Sequence, residues 1–347
     1  MALRHRGLIV LLVDWEACSE GRAGTYVLPR HSAEWHIQQA LTANGHATAV
    51  VPFTDDLPAS IARLEALKPA LIFNLTESIA GDRRMDVAIA GVLDLLKRPY
   101  TGTGPAGLQV CRDKALSKRI VAAVGVDAPR FLTAVTAADA RHHDLRFPVI
   151  VKPQFGDGGD GISRASLVRN QTALLRRVSA ITRRLKMPAI CEEFVEGNDL
   201  YVSLLADARG GMQAMAPMEL HIGRKRPLGP QFATDQLRHN PAYRTRWRVR
   251  WRQAKLKPAL LARVWRDARA AFAALGMRDY GRVDFRLADD GTLKFIEANP
   301  NHDLARHAFA INVCFAGVPY EAAIERIVRA ALRRHLKSGI RDLGLGI

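Results

Sequence analysis

An α/β fold is predicted for this chain by three observations. Apolar runs of strand length alternate with amphipathic stretches of helix length from residue 7 onward. Gly and Pro punctuate the boundaries between them, and 347 residues are too many for one small core. In order, "GLIVLLVD" (7–14) reads as a strand. "SAEWHIQQALTANG" reads as a helix capped by Ser32 and stopped by Gly45. "HATAVVPF" is a second strand, "LPASIARLEALKP" a second helix, "ALIFNLTE" a third strand and "MDVAIAGVLDLLK" a third helix. This βαβαβ order implies a parallel sheet with helices on both faces and a crevice at the strand carboxyl ends, near Asp14, Asn74, Thr76 and Glu77. A helix is expected at 112–125, then the segment "DAPRFLTA", then strand, glycine turn and strand at 147–166. A basic helix (170–186), two strands in "AICEEFVEGNDLYVSLLAD", a helix "ALLARVWRDARAAFAALG", a hairpin and a terminal amphipathic helix "YEAAIERIVRAALRRHL" complete an α+β second part. No internal repeat or low-complexity linker appears.

Composition is that of a globular protein, 48% hydrophobic and 24% charged. The apolar run 7–13 is far shorter than a membrane span and stops at Asp14. Arg4 and Arg6 precede it as in a signal peptide, but no small-residue cleavage pattern follows, so a cytoplasmic protein with no membrane contact is expected. Cys18, Cys111, Cys191 and Cys314 are scattered without ligand spacing; neither a zinc site nor a disulfide framework is indicated, and buried thiols are expected. The net charge of +17 favours anionic partners, and it is densest in "LRHNPAYRTRWRVRWRQAKLK" (237–257). On a helix Trp247 and Trp251 would share a face, as in a basic and aromatic nucleic-acid surface. No nucleic-acid module accompanies them, so tryptophans docked on the body are favoured.

"RVDFRLADDGTLKFIEANPNHDL" (282–304) reads as two strands around a turn. With Asp290-Gly291 as a two-residue loop, Asp289 opposes Thr292, Asp284 opposes Glu297 and Arg282 opposes Asn299. Arg282, Asp284, Glu297 and Asn299 then share one face, while Val283, Phe285, Ile296 and Ala298 take the core. Opposed carboxylates repel, and a hard cation such as Mg²⁺ would relieve this; a solvated charged face is the alternative. "GDGGDG" (156–161) lies between two strands, which argues against a Rossmann or P-loop site, although a glycine turn can still cover phosphates with its N–H groups. Lys152, on the apolar strand "VIVKP", either has an anionic partner or sits at an edge.

Together these features resemble the ATP-grasp superfamily, in its D-alanine–D-alanine ligase-like branch. The resemblance spans nearly the whole chain: "HSAEWHIQQAL", "RPYTGTGPAGLQVCRDKALSKRI", "PVIVKP" before glycines, "EEFVEG", "GRVDF" and "IEAN" occur in the family's order. It implies a three-domain ATP-grasp fold: an N-terminal α/β domain (1–104), a central lid domain with the glycine loop (105–191) and a C-terminal domain with the metal site (192–347). It implies that Lys114 and Lys152 contact ATP phosphates and that Gly156, Gly158, Gly159 and Gly161 cover them. Glu192, Glu193, Phe194 and Val195 would line the adenine pocket, and Asp199 would hold the ribose. Asp284, Glu297 and Asn299 would bind two Mg²⁺ ions, with Mn²⁺ as an alternative. Arg282 would stabilise the reacting oxygen, and Glu34 would face the amine of the first substrate. The implied activity joins a small-molecule carboxylate to an amine through an acylphosphate, and a homodimer through the N-terminal domain fits the family.

The chain departs from that pattern after "EAN", where "NPNHDLARHAFAINVCFAG" replaces the loop that holds a second D-alanine. A different second substrate is therefore expected, with Asn301, His302, Asp303 and Arg306 as candidate contacts. For His302 and His307 packing is the competing role. Arg238 and "GRKR" (223–226) are further anion-contact candidates. Two alternatives stand beside the ligase: a kinase-like phosphotransferase that needs no amine, and a basic nucleic-acid-binding protein with a degenerate ATP site.

Overall fold

The structure is a computed structural model that describes residues 7–156, 161–222, 232–234, 236–237, 240–306 and 309–342. Gly158, Gly159, Arg238, His307 and the 223–226 stretch lie outside these residues.

The first sheet begins with Ile9–Asp14 (β1), whose five apolar residues are all buried, as a central parallel strand requires. A small ribbon, Ser19–Glu20 (β2) with Tyr26–Val27 (β3), precedes helix Ala33–Ala43 (α1). Ser32 caps α1 by accepting from Trp35 N at 3.1 Å. Thr48–Phe53 (β4), Leu57–Leu67 (α2), Leu71–Asn74 (β5) and Asp86–Leu95 (α3) follow. The strands pair in parallel in the order β4-β1-β5. Ile37 and Leu41 of α1 pack on one face; Leu64 of α2 and Ile89 and Leu93 of α3 pack on the other.

The helix expected at 112–125 is Lys114–Ala123 (α5), and a further helix, Pro105–Arg112 (α4), precedes it. Between them stands Asp113, whose extended backbone ends α4 and whose carboxylate accepts from Ala115 N (2.9 Å) and Leu116 N (3.1 Å) to start α5. Phe131–Ala134 (β6), Val149–Pro153 (β7), Leu167–Val168 (β8), Gln171–Leu185 (α6) and Ala189–Glu193 (β9) form an antiparallel sheet, order β6-β9-β7-β8, covered by α6.

The third sheet contains Asn198–Ala206 (β10), Met212–Ala214 (β11), Met218–Ile222 (β12), Val249–Gln253 (β13), Tyr280–Leu287 (β14) and Leu293–Asn299 (β15). Its order is β13-β12-β10-β14-β15, with β11 also on β10. Pro241–Arg246 (α7) precedes β13, and Pro258–Ala274 (α8) covers one sheet face together with α5. Phe309–Phe315 (α9) and Tyr320–Asp342 (α10) end the described chain. Ile324, Ile327 and Val328 of α10 pack in one core with β1, β5 and α1, so the C-terminal helix returns to the first sheet. No helix among the described residues is long and apolar enough to cross a membrane.

Three expectations are corrected. Trp247 and Trp251 do not share a helix face, because α7 ends at Arg246, Arg248 turns to positive φ and Trp251 belongs to edge strand β13. Trp251 does dock on the body, with its ring 4.8 Å from that of Tyr201. Only Cys111 and Cys191 are buried thiols; Cys314 is exposed and Cys18 half-buried. The β14–β15 turn is not two residues long: Ala288 N donates to Thr292 O at 2.9 Å, leaving Asp289-Asp290-Gly291 as the loop, with Gly291 in the left-handed region at φ 86°.

Candidate active site

The longer turn would have put Asp284 opposite Ile296. A bulge restores the expected pairing: Phe285 opposes Phe295, but Asp284 opposes Glu297 and Arg282 opposes Asn299. The extra residue is Ile296. It leaves the core position expected for it, which Phe295 takes instead, and turns to the cleft. The alternative of a solvated hairpin face does not hold, since Asp284 is 4% exposed.

Arg282 grips Asp284 with Nε (2.7 Å) and one terminal nitrogen (2.9 Å), and its guanidinium stacks 5.1 Å from the Tyr201 ring. Burial alone would lower the Arg282 pKa; the Asp284 carboxylate more than offsets this and raises it, so the guanidinium is charged. Asn299 donates to the same carboxylate at 3.1 Å. Lys114, first residue of α5, lies 3.5 Å from Glu297 and donates to the carbonyl of Gly156 at the start of the glycine loop. The end of β7 holds this arrangement: Gln154 accepts from Lys114 N at 3.2 Å and donates to the Asp113 cap at 2.9 Å.

Lys152 is not an edge residue. It lies on the internal strand β7, 2.8 Å from the buried carboxylate of Glu192. Strands β9 and β10 are consecutive in sequence but belong to different sheets, and a slot opens between those sheets. Glu192, Glu193, Phe194, Val195, Asp199 and Lys152 all line it. Glu193 accepts from Arg146, at 3.0 Å from its backbone N and 3.1 Å from its guanidinium. Asp199 accepts from Ala233 N (3.1 Å) and from Arg286 (2.6 Å).

A second cavity of about 240 Å³ adjoins the slot. Thr76 and Glu77 from the first sheet, Lys114 and Gly156, Arg282, Glu297 and Asn299, and Asn301 to Asp303 are among its walls. The strand-end crevice is thus where the sequence places it. Asp14 shapes it from behind, accepting from Glu77 N, Ser78 N and Ser78 Oγ at 3.0, 3.2 and 2.9 Å. Asn301 accepts from Thr103 N at 2.9 Å and lies so close to Gly102 that a Cβ there would come within 2.6 Å of its Oδ1. Gly102, at φ 91°, is therefore needed for both its backbone and its lack of a side chain.

His302 lines this cavity, with its ring between Tyr280 (5.8 Å) and Phe309 (5.6 Å). The residue is partly exposed, yet both ring nitrogens are buried and have no hydrogen-bond partner among the described residues. Burial, helped by the Arg282 charge, lowers its pKa to about 3, so the imidazole is neutral. Arg306 is not in the cavity; it is exposed and bonds Glu321 at 3.0 Å. Glu34 lies in the first turn of α1 and lines neither the slot nor the cavity.

Two buried cations were missed by sequence reasoning. Arg286 bonds Val195 O (2.9 Å) and Asp199, and stacks 4.9 Å from the Phe194 ring. It stands two residues beyond Asp284, so strand alternation could have placed it on the same face. Lys118, one helical turn after Lys114, was signalled only by that spacing.

The donors suit Mg²⁺. Two opposed carboxylates and an amide offer hard oxygens. Among the described residues no group of three or more His, Cys, Asp or Glu forms a protein-only metal cage. Mg²⁺ characteristically takes one or two carboxylates and completes its shell with phosphate oxygens and water.

Comparison with known proteins agrees with this architecture. A sequence model of the family described as D-ala D-ala ligase C-terminus matches residues 120–329. An uncharacterized protein of Sinorhizobium fredii is 29% identical over 316 residues, covering 87% of this chain and 88% of that one. The D-alanine–D-alanine ligase of Anaeromyxobacter sp. is 28% identical over 297 residues, covering 84% and 88%. The fold matches D-alanine–D-alanine ligase from Bacillus anthracis complexed with ATP, at a TM-score of 0.68 and 18% identity, over 96% of this chain and 99% of that one. Fold and relatives define an ATP-grasp enzyme of the carbon–nitrogen ligase class. Within it, the chain belongs to the D-ala D-ala ligase C-terminus family.

Proposed function

We propose that the chain is an ATP-dependent carboxylate–amine ligase that forms a dipeptide-like amide, with a second substrate other than D-alanine. The observation that carries this is Glu297, which lines both the slot and the adjoining cavity and so marks where a nucleotide in one meets an acyl substrate in the other. The slot takes the base against Phe194 and Val195 and the ribose near Asp199. The cavity takes the small molecules. The three sheets support a division into 1–104, 105–191 and 192–347, with α10 packing back on the first and α5 on the third.

The chain's own groups perform most of the chemistry. Lys114, Lys152 and Arg282 place positive charge where a carboxylate must approach a phosphate. Asp284, Glu297 and Asn299 would hold two Mg²⁺ ions, which supply further charge neutralisation when bound. The substrate carboxylate displaces ADP from the γ-phosphorus to give an acylphosphate. The amine then attacks the acyl carbon, the carbon–oxygen bond to phosphate breaks, and the amine proton and inorganic phosphate depart. Arg282, fixed by Asp284, is placed to steady the oxygen that gains charge. Asn301 and His302 sit where the loop pattern departs from the ligases that use D-alanine, and they are the side chains assigned to the second substrate.

The test is ADP release with Mg²⁺-ATP across a matrix of amino acids and small peptides, with Asp284→Asn as control. Release that needs a pair of compounds, and falls by at least about 100-fold in the variant, is expected. Release with a single compound and a phosphorylated product would instead identify a kinase-like enzyme. Absence of nucleotide binding would overturn the reading.

A further inference from the structure

Lys152, assigned to phosphate, is paired in this structure with Glu192. That carboxylate is 1% exposed, so water cannot replace a departing counter-ion. A second ammonium stands on its other side: Lys118 Nζ is 3.5 Å from Oε2, while Lys152 Nζ is 2.8 Å from Oε1. The two lysines differ in what else holds them. Lys118 is fully buried, donates to Ile296 O (2.5 Å) and Phe295 O (3.4 Å), and lies 5.4 Å from the Phe295 ring centre. These partners belong to the β15 bulge, and Lys118 is not on the wall of the slot. Lys152 does line the slot, and among the described residues Glu192 is its one close partner, with no backbone oxygen holding its ammonium. Lys118 is therefore tethered by backbone oxygens away from the slot, and Lys152, on the slot wall, is not.

We propose that Lys118 is the standing counter-ion of Glu192, and that it frees Lys152 to leave the carboxylate for the phosphates of a bound nucleotide. Lys118 is thus a positioning residue: it acts on the ligand through Glu192 and Lys152 and does not touch it. Without Lys118, Lys152 would be the one ammonium left in contact with Glu192, in a medium where buried opposite charges separate at high cost. Burial raises the Glu192 pKa, yet Lys118 and Lys152 together hold it below the usual carboxylate range, consistent with two effective counter-ions. The inference rests on the nucleotide reading of the slot.

The experiment is calorimetric titration of the full chain with Mg²⁺-ATP, for the wild type, Lys118→Met, Glu192→Gln and the double variant, with thermal unfolding to confirm folding. Lys118→Met is expected to weaken ATP about 10- to 100-fold, and the double variant, which has no buried carboxylate to hold Lys152, to return to within about threefold of wild type. Glu192→Gln alone is expected to bind ATP at least as tightly as wild type, which keeps the idea testable if Lys118→Met does not fold. A double variant as weak as Lys118→Met would mean that Lys118 acts only by supporting the bulge, and would overturn the proposal. So would wild-type affinity in Lys118→Met, or weakened binding in Glu192→Gln. Absence of ATP binding by the wild type would instead overturn the nucleotide reading.

Discussion

Arg286 shows how one side chain can organise a binding slot. It ties β14 to the Val195 carbonyl and the Asp199 carboxylate and lies against Phe194, so three proposed nucleotide contacts depend on one guanidinium. Arg286→Met keeps the apolar stem and removes the three tethers. It is expected to raise the KM for ATP by about 10- to 100-fold while changing kcat less, as steady-state kinetics would show. His302 makes a prediction about pH. Its folded pKa of about 3 lies below the ordinary value of 6.5, so between these limits the unfolded chain binds the extra proton. The associated stability is present above about pH 6.5 and is lost as pH falls toward 3, at up to about 1.4 kcal/mol per pH unit. Urea midpoints at pH 7.5 and 5 should therefore fall more in the wild type than in His302→Gln.

At the scale of elements, the β14–β15 hairpin explains why the site was legible although its turn was misread. The two-residue turn and the straight ladder were both wrong, and the two differences cancel at Asp284 and Glu297 because the longer turn and the bulge each shift register by one. Alternation recovered the functional face; it could not find Ile296 on the cleft wall, because a bulge breaks the period of two. Asp113 is a second case: the sequence shows the helix that follows it but not the one before, and only the cap's contact with Gln154 shows that the break between them places Lys114 beside the glycine loop. Helix α10 reads as amphipathic, but what its apolar stripe covers is a tertiary fact. Ile327 is fully buried in the core that joins α10 to the first sheet. Ile327→Ala is expected to cost about 2–5 kcal/mol, measured by urea denaturation, with the first sheet and the C-terminal helix unfolding together.

For the whole molecule, the slot lies between the second and third sheets, so a nucleotide bound there touches both. ATP at about 100 times its Kd should stabilise the fold by about 2.7 kcal/mol, read as a rise in Tm. An unchanged Tm at saturating ATP would contradict a slot that bridges the sheets. The basic 237–257 stretch is anchored to the body by two contacts at the sheet edge. Arg252 pairs with Glu219 at 2.5 Å, and Trp251 packs on Tyr201, the ring that also carries Arg282. Those contacts fix β13 to the edge of the third sheet.

The sequence by itself determined the α/β order, the parallel first sheet, the resemblance, and the shared face of Arg282, Asp284, Glu297 and Asn299, because these depend on local period and spacing. Tertiary structure alone decided that Lys152 and Lys118 flank one buried carboxylate and that Glu297 stands where slot and cavity meet. It also decided that Arg306 and Glu34 line neither. Those outcomes depend on which side chains distant segments bring together in a low-dielectric interior, where a charge is held by the partners it meets rather than by its neighbours in the chain.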